Sequence, residues 1–510
     1  MADNSSNNKR IAKNTILLYF RMILMMVIGI YTSRVILNAL GVSDLGLYNV
    51  TGGVVTMFTF LNGTLASGGQ RFMSFAIGER DAEKLKSVFR TTMTLHIWLA
   101  FAIFILCETV GLWYVYNKLN VEPGRFEAAL WCYHLSVVAM VVSILQVPFN
   151  SALIAHEKMD IYAYMSIFDV SAKLLVAYLI TVTPFDRLIF YAILILSVTL
   201  LNTYIYNLYC RRKFEECRFG YGYDKQLMRE MVGFCGWNTI GCFAVMGQTT
   251  GLNLVINAFC GTVVNGARAI AFQVNGMIMK FIENFQMALN PQIIKYYADG
   301  DMQNMERLVI RGAYLSSYLF LSLAIPLFIE CEYVITLWLG SCPDYVVPFV
   351  QIVLIESLFK SMGNPTITAM HATGKMKMVQ ITVGLVQVLV LPVCYLLFRV
   401  GLNPVTVVAA AVTPWLVVIP MRLYWCNHYS GFPVRRFLVS ICLKIPVMAI
   451  LMAIPPYLVH YFIPLDGFCL FLAVGIVSVI ASAILVYTLG LEPSVREFVN
   501  SKIKTLLHKR

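Results

Sequence analysis

Stretches of about 20 apolar residues recur from residue 14 to residue 489, separated by short polar breaks, and this spacing constrains the fold more than any other feature. At 1.5 Å per residue such a stretch crosses the hydrocarbon core of a bilayer as a helix, where every backbone polar group must be satisfied within the chain. The runs predict transmembrane helices at residues 14–37, 46–68, 91–114, 128–150, 161–183 and 188–209. A second six follow at 231–255, 264–289, 308–329, 346–370, 379–400 and 405–425, and two more at 437–461 and 468–489. Only 13% of the 510 residues are charged, too few to coat a water-soluble surface. The expected fold class is an all-α polytopic membrane protein of about 14 transmembrane helices. No polar stretch is long enough to fold as a separate catalytic domain.

The placement of cations tests that count, because cytoplasmic loops collect Lys and Arg and a wrong count would scramble the alternation. One side receives Lys9, Arg10 and Lys13, then Arg71, Arg80, Lys84, Lys86 and Arg90, then Lys158. The same side takes Arg211, Arg212, Lys213, Arg218, Lys225 and Arg229, then Lys295, Arg307 and Arg311, then Lys375 and Lys377. Arg435, Arg436 and the tail cations Arg496, Lys502, Lys504, Lys509 and Arg510 complete it, while the opposite loops hold Lys118, Arg125, Arg187 and Arg399. A ratio of roughly seven to one predicts an even number of spans with both termini in the cytoplasm. It also accounts for the formal net charge of +12 without a nucleic-acid partner. The polar segment before residue 14 leads into a run of spanning length with no small-residue cleavage site, so it reads as a retained first helix.

A weak internal repeat accompanies the alternation. Ala76, Gly78, Glu79 and Glu83-Lys84-Leu85 are echoed by Ala298, Gly300, Asp301 and Glu306-Arg307-Leu308, and Ala155-His156-Glu157-Lys158-Met159 by Ala372-Thr373-Gly374-Lys375-Met376. Equivalent loops fall on the same membrane side, which makes the repeat parallel. The expected organisation is an N-terminal lobe over 1–212, a C-terminal lobe over 213–430, two further helices over 431–492 and a basic tail over 493–510.

Charges inside spans are costly, by about 2.5–3.5 kcal/mol each on insertion scales, and each calls for a physical reason. Arg34, Arg422 and Lys444 lie near helix ends, where snorkelling serves them. Asp169 with Lys173, Glu356 with Lys360, and Lys280 with Glu283 stand one turn apart and suit intrahelical pairing. The same carboxylates, Asp169, Glu283 and Glu356, are the candidates for proton or sodium coupling. Arg21 and Arg268 have no partner at helical spacing; guanidinium groups bind phosphate bidentately, and snorkelling to the interface is the rival reading for both. The candidate substrate-binding set is therefore Arg21, Arg268 and Lys280 first, with Arg34, Lys173, Lys360, Gln70 and Asn275. Asn62, Gln273, Asn284 and Gln286 add amides that bond sugars or join helices. His96 and His134 read as helix-packing hydrogen bonds, and residues 79–90 and 495–510 as basic amphipathic segments on the inner leaflet.

The 13 cysteines show no metal-ligand spacing; Cys331 and Cys342 share one outer loop and are the one pair placed for a disulfide. No nucleotide-binding loop, HExxH motif or nucleophile motif is present, so no resident cofactor is expected and an enzyme is disfavoured.

The segment Ser33-Arg34-Val35-Ile36-Leu37-Asn38-Ala39-Leu40-Gly41, followed by Asp44-Leu45-Gly46-Leu47-Tyr48-Asn49, and the triplet Gln70-Arg71-Phe72 resemble a known group. They are similar to the polysaccharide flippases of the multidrug/oligosaccharidyl-lipid/polysaccharide exporter superfamily, which includes the O-antigen and capsule repeat-unit flippases. The resemblance implies a MOP/MATE-like fold of two six-helix lobes and an alternating-access cycle. Its implied cargo is a polyprenyl-pyrophosphate-linked oligosaccharide crossing the bacterial inner membrane, with a polysaccharide polymerase and glycosyltransferases as pathway partners. Three alternatives stay open: a cation-coupled drug or metabolite exporter, a peptidoglycan-precursor flippase, and a membrane glycosyltransferase or polymerase. The first span offers Arg21 and no carboxylate, which counts against the cation-coupled drug exporter.

Overall fold

The computed structural model describes residues 2–56, 59–118, 124–218, 222–491, 496 and 500. The side chains of Lys9, Arg10 and Asn62, and the tail cations Lys502, Lys504, Lys509 and Arg510, lie outside the described residues. Among the described residues the chain is all helical, with no strand. Twelve helices among them are long and apolar enough to cross a membrane. In the first half they are α1 (Lys13–Gly41), α3 (Ala82–Asn117), α4 (Phe126–Ala155), α5 (Met159–Val182) and α6 (Arg187–Lys213). The second half supplies α7 (Lys225–Gly261), α9 (Met302–Ile329), α10 (Val346–Thr373), α11 (Lys377–Arg399), α12 (Pro404–Ser430), α13 (Val434–Phe462) and α14 (Gly467–Gly490). Two more polar helices, α2 (Thr59–Gly78) and α8 (residues 262–298), complete the order. Against the expected fourteen, twelve helices among the described residues are long and apolar enough to span, and in α2 and α8 amides and charges lower the apolarity.

Helix ends follow from local chemistry. Asp81, Asp186, Asp224 and Asn403 accept backbone N–H bonds at the starts of α3, α6, α7 and α12, which satisfies donors left open in a first turn. Residues 79–90, expected to lie on the inner leaflet, form a three-residue turn and the first turns of α3. The Lys84–Glu79 and Lys86–Glu83 pairs, at 2.6 and 2.8 Å, partly neutralise that stretch. Arg71, expected in a loop, sits inside α2, where its guanidinium lies over the rings of Phe72, Phe75 and Phe234 at 4.3–5.5 Å. Cation–π contact gives it an environment within the helix bundle.

The internal repeat is written in backbone geometry. Gly41 interrupts the helix Ala2–Thr56 at φ 77°, ψ 174°, and Gly261 interrupts the helix Lys225–Ala298, between α7 and α8, at φ 78°, ψ −173°. That conformation belongs almost only to glycine. After α2, the N–H groups of Glu79, Arg80 and Asp81 bond the carbonyls of Phe75, Ile77 and Ala76. After α8, those of Asp299, Gly300 and Asp301 bond Lys295, Tyr297 and Tyr296, the same turn 220 residues on. The turns after α4 and α10 also match, with Glu157 at φ 58° and Gly374 at φ 74°.

The chain divides into two compact units, Met1–Thr239 with Ala288–Asp301, and Ile240–Met287 with Met302–Arg510. In the first unit, α4 packs against α6, α2 and α3, and α1 against α5. Small residues allow close approach: a Cβ on Gly69 would stand 2.9 Å from Ser151 Oγ, and one on Gly78 2.7 Å from Ala298 Cβ. In the second unit, α10 packs against α9 and α12, and α13 and α14 lie on α9. Its apolar core runs through Ile256, Ile282, Phe320, Phe349, Val350 and Val407.

Candidate functional site

A charged cluster lies inside the second unit, built on α8, α10 and α12. On α10, Glu356 and Lys360 stand one turn apart and pair at 2.8 Å. Lys360 is near the middle of its helix, roughly 20 Å along it at 1.5 Å per residue. On α12, Trp415 and Arg422 are seven residues apart and share a helix face. The indole Nε1 of Trp415 donates to Glu356 Oε1 at 3.3 Å, and the Lys360 ammonium lies 5.7 Å from the indole centroid. The Arg422 guanidinium stacks over the same ring at 5.2 Å. From α8, Arg268 comes within electrostatic reach of Glu356. Lys360 and Arg268 thus lie near one carboxylate, and Lys360 and Arg422 near one indole.

Two of those cations are deeply buried with open donors. Arg268 is 4% exposed and Arg422 is 9% exposed. Arg268 donates through Nη1 to Asn253 Oδ1 and to the Thr249 carbonyl on α7, while its buried Nε has no hydrogen-bond partner among the described residues. Arg422 Nη1 is likewise buried and unmatched. A desolvated guanidinium N–H without an acceptor is costly, so an acceptor supplied to either would be stabilising. Below the cluster, Gln286 donates to Ser316 Oγ and the Ser361 carbonyl at 3.1 and 3.4 Å and accepts from Asn364 at 3.2 Å, which ties α8, α9 and α10 together.

A smaller polar set occupies the first unit. Tyr162, Ser166, Asp169 and Lys173 recur every three or four residues along one face of α5. Arg21 donates to Ser166 Oγ at 3.2 Å and stacks over Tyr162 at 4.7 Å, and Lys173 pairs with Asp169 at 2.7 Å.

Of the residues singled out in the sequence, Arg268, Lys360 and Glu356 come together, as do Arg21, Lys173 and Asp169. Lys280 does not join Arg268. Twelve residues turn the helix by about 120°, and α8 buries Arg268 and Asn275 while exposing Gln273, Lys280 and Glu283. Arg34 is exposed, and Gln70 is half-buried with its Nε2 unmatched among the described residues. His96 bonds the Thr92 carbonyl at 2.7 Å, and His134 meets Glu108 at 3.0 Å. Cys331 and Cys342 are both free thiols, not a disulfide. Arg422 is the principal correction, being buried over Trp415 rather than reaching for the interface. Its i+7 spacing from an aromatic residue on the same face was the available signal.

A second charged feature ties the loops of the first unit. Arg125 bonds both Asp44 and Asp186, its Nε reaching Asp44 at 3.0 Å, and Arg187 donates to the Ala39 carbonyl at 3.0 Å. Although burial pushes the Asp186 carboxyl up, hydrogen bonds from Arg125 and from the backbone of Ile189 and Leu188 hold it below its ordinary value.

Several solved structures share this architecture. A crystal structure of a MATE point mutant matches at TM-score 0.69 with 12% identity, over 82% of this chain and 96% of that one. An outward-facing multidrug resistance MATE family transporter of the MOP superfamily matches at 0.68, with 12% identity, over 83% and 96%. A MOP superfamily transporter from Pyrococcus furiosus, described as having a binding pocket of reversed polarity that suggests a different function, matches at 0.67, with 13% identity, over 83% and 96%. The fold is MATE-like. No protein-family profile and no curated protein matches the sequence. On the MATE-like frame, the polar helix α8 follows the Gly261 break and carries Arg268 to the cluster.

Proposed function

We propose that the chain is a flippase that moves a polyprenyl-pyrophosphate-linked oligosaccharide, an O-antigen or capsule repeat unit, across the bacterial inner membrane by alternating access. Both termini lie in the cytoplasm in this reading, on the strength of the cation alternation. One observation carries it: Arg268 and Arg422 are both buried in the second unit with donors left open, which suits a pyrophosphate and does not suit a cationic drug. The absence of any acid from α1, and the neighbouring MOP transporter described by its reversed pocket polarity, support the same direction. Asp169, Glu283 and Glu356 remain the carboxylates available for ion coupling. The polymerase and glycosyltransferases of the pathway are proposed partners.

A cation-coupled drug exporter is the second reading, favoured by Asp169 on α5 and by the multidrug resistance transporter among the structural neighbours. Deletion separates the two. Loss of surface polysaccharide with unchanged drug susceptibility supports the flippase; drug accumulation with intact polysaccharide overturns it.

A further inference from the structure

We infer that the start of α7 and the end of α8 form a gate, shut in this structure against α2, α3 and α4, with Gly78 as its seat. The gate opens when those two ends part from α2, α3 and α4. The inference rests on the alternating-access reading above. Its ground is a break in the internal repeat. Through the repeat, α7 and α8 answer to the stretch that runs from α1 through Gly41 to α2, and the described residues of that stretch lie wholly in the first unit. Their counterparts are divided. Residues 225–239 of α7 and 288–298 of α8 belong to the first unit, while 240–261 and 262–287 belong to the second. At 1.5 Å per residue the division falls roughly 22 Å from the start of α7 and 16 Å from the end of α8, about half-way across a bilayer on both helices.

The contacts that hold these ends in the first unit are of a kind that can part and re-form. At the start of α7, Phe234 meets Phe72 of α2 edge-on at 5.9 Å, and Met231 accepts from Thr92 of α3 at 3.9 Å. Cys235 lies so close to Gly68 that a Cβ there would stand 2.6 Å from its Sγ. At the end of α8, Tyr297 is 6.4 Å from Phe75 of α2, and Lys295 and Gln292 reach the Glu157 carboxylate after α4 at 2.7 and 2.9 Å. Aromatic edges and an ion pair lose less on hydration than an interlocked aliphatic core. The fit is tightest at Gly78. A Cβ there would stand 2.7 Å from Ala298 Cβ, 2.8 Å from the Lys295 carbonyl oxygen and 3.0 Å from Lys295 Cα. Two of those atoms are backbone and cannot rotate aside, so a side chain at 78 acts as a wedge against α8. The cation alternation assigns these ends to the cytoplasmic side. A gate shut there bars entry of cargo from the cytoplasm.

The test reads distance rather than transport. Full-length protein in nanodiscs carries maleimide spin labels at Glu83→Cys on α3 and Asp299→Cys after α8, both exposed positions, with the exposed Cys242 and Cys469 replaced by serine. Double electron–electron resonance should show a main short distance and a minor longer one in this background. Gly78→Val should raise the ratio of long to short by roughly tenfold, the scale of overpacking by one side chain. Gly63→Val, on the same helix with nothing within 4 Å of its Cβ, should leave the ratio unchanged. Gly68→Cys, bridged to Cys235 by oxidation before labelling, should lose the longer distance, and the unoxidised variant should keep it; this pair serves where Gly78→Val does not fold. A single short distance in both the labelled background and folded Gly78→Val overturns the inference, as does a longer distance that survives the bridge. Neither readout involves a cargo: if the gate opens as expected and proteoliposomes move no lipid-linked sugar, the flippase reading fails and the gate stands.

Discussion

Glu157 offers a quantitative test of how the turn after α4 is held. Its side chain is 1% exposed and accepts from Lys295 Nζ at 2.7 Å and Gln292 Nε2 at 2.9 Å, while its carbonyl accepts from Asn14 Nδ2 at 3.5 Å. It also sits at φ 58°, left-handed backbone that costs a non-glycine residue roughly 1–2 kcal/mol. The matching turn after α10 has Gly374 at φ 74° and no such strain. Two terms of opposite sign are therefore built into one residue. Glu157→Ala removes the buried pair, at a cost of about 3–5 kcal/mol, and keeps the strain. Glu157→Gly loses the same pair and relieves the strain, so it should be the less destabilised by about 1 kcal/mol or slightly more. Lys295→Ala leaves the carboxylate buried with Gln292 and should cost about as much as Glu157→Ala; the double alanine variant should fall well short of their sum. The assay is unfolding in mixed micelles under increasing SDS, followed by tryptophan fluorescence. Equal stability for the Ala and Gly variants would refute the strain argument, and additive single effects would refute the pair.

Other expectations follow from separate parts of the structure. Because the Asp186 carboxyl is held below its ordinary value, the Arg125 tie contributes fully above the unfolded carboxylate pKa, about 3.9, and is lost as pH falls through the lower folded value. Melting temperature should then differ between wild type and Asp186→Asn at pH 6–8 by a constant amount, and the difference should shrink below about pH 4; a difference that grows in acid contradicts the assignment. Gly261→Ala meets nothing within 4 Å of its new Cβ, so its expected loss of about 1–3 kcal/mol is conformational alone and should appear equally in Gly41→Ala. Gly69→Leu should reduce the yield of folded protein sharply, since even a Cβ there stands 2.9 Å from Ser151 Oγ; normal yield would show that α2 and α4 are not so closely packed.

Most of the fold is legible in the sequence because the bilayer imposes it. Spans have to be near 20 apolar residues, and the expected 346–370, 379–400 and 468–489 match α10, α11 and α14 to within a few residues at each end. Hydropathy ends the second span at 68, yet α2 runs to Gly78, since Gln70 and Arg71 look like a loop until Phe72, Phe75 and Phe234 are seen around the guanidinium. The pairs at Asp169–Lys173 and Glu356–Lys360 are legible because helical spacing is local. The bond from Arg268 to Asn253 is not, because it bridges the Gly261 break, where helical spacing no longer applies. Arg422 reads as a snorkelling residue, and only the packing of α12 on α10 buries it.

The central claim, that the cluster of the second unit binds the pyrophosphate of a lipid-linked sugar, is tested most directly by translocation in proteoliposomes. The substrate is a fluorescent polyprenyl-diphosphate oligosaccharide, and its arrival at the opposite leaflet is read by enzymatic trapping. Arg268→Gln and Arg422→Gln should each lower the rate by at least roughly tenfold, the scale of one charge-assisted bond to phosphate, while Arg34→Gln, an exposed cation outside the cluster, should stay near wild type. Wild-type rates in both cluster variants at equal reconstituted protein would contradict the account.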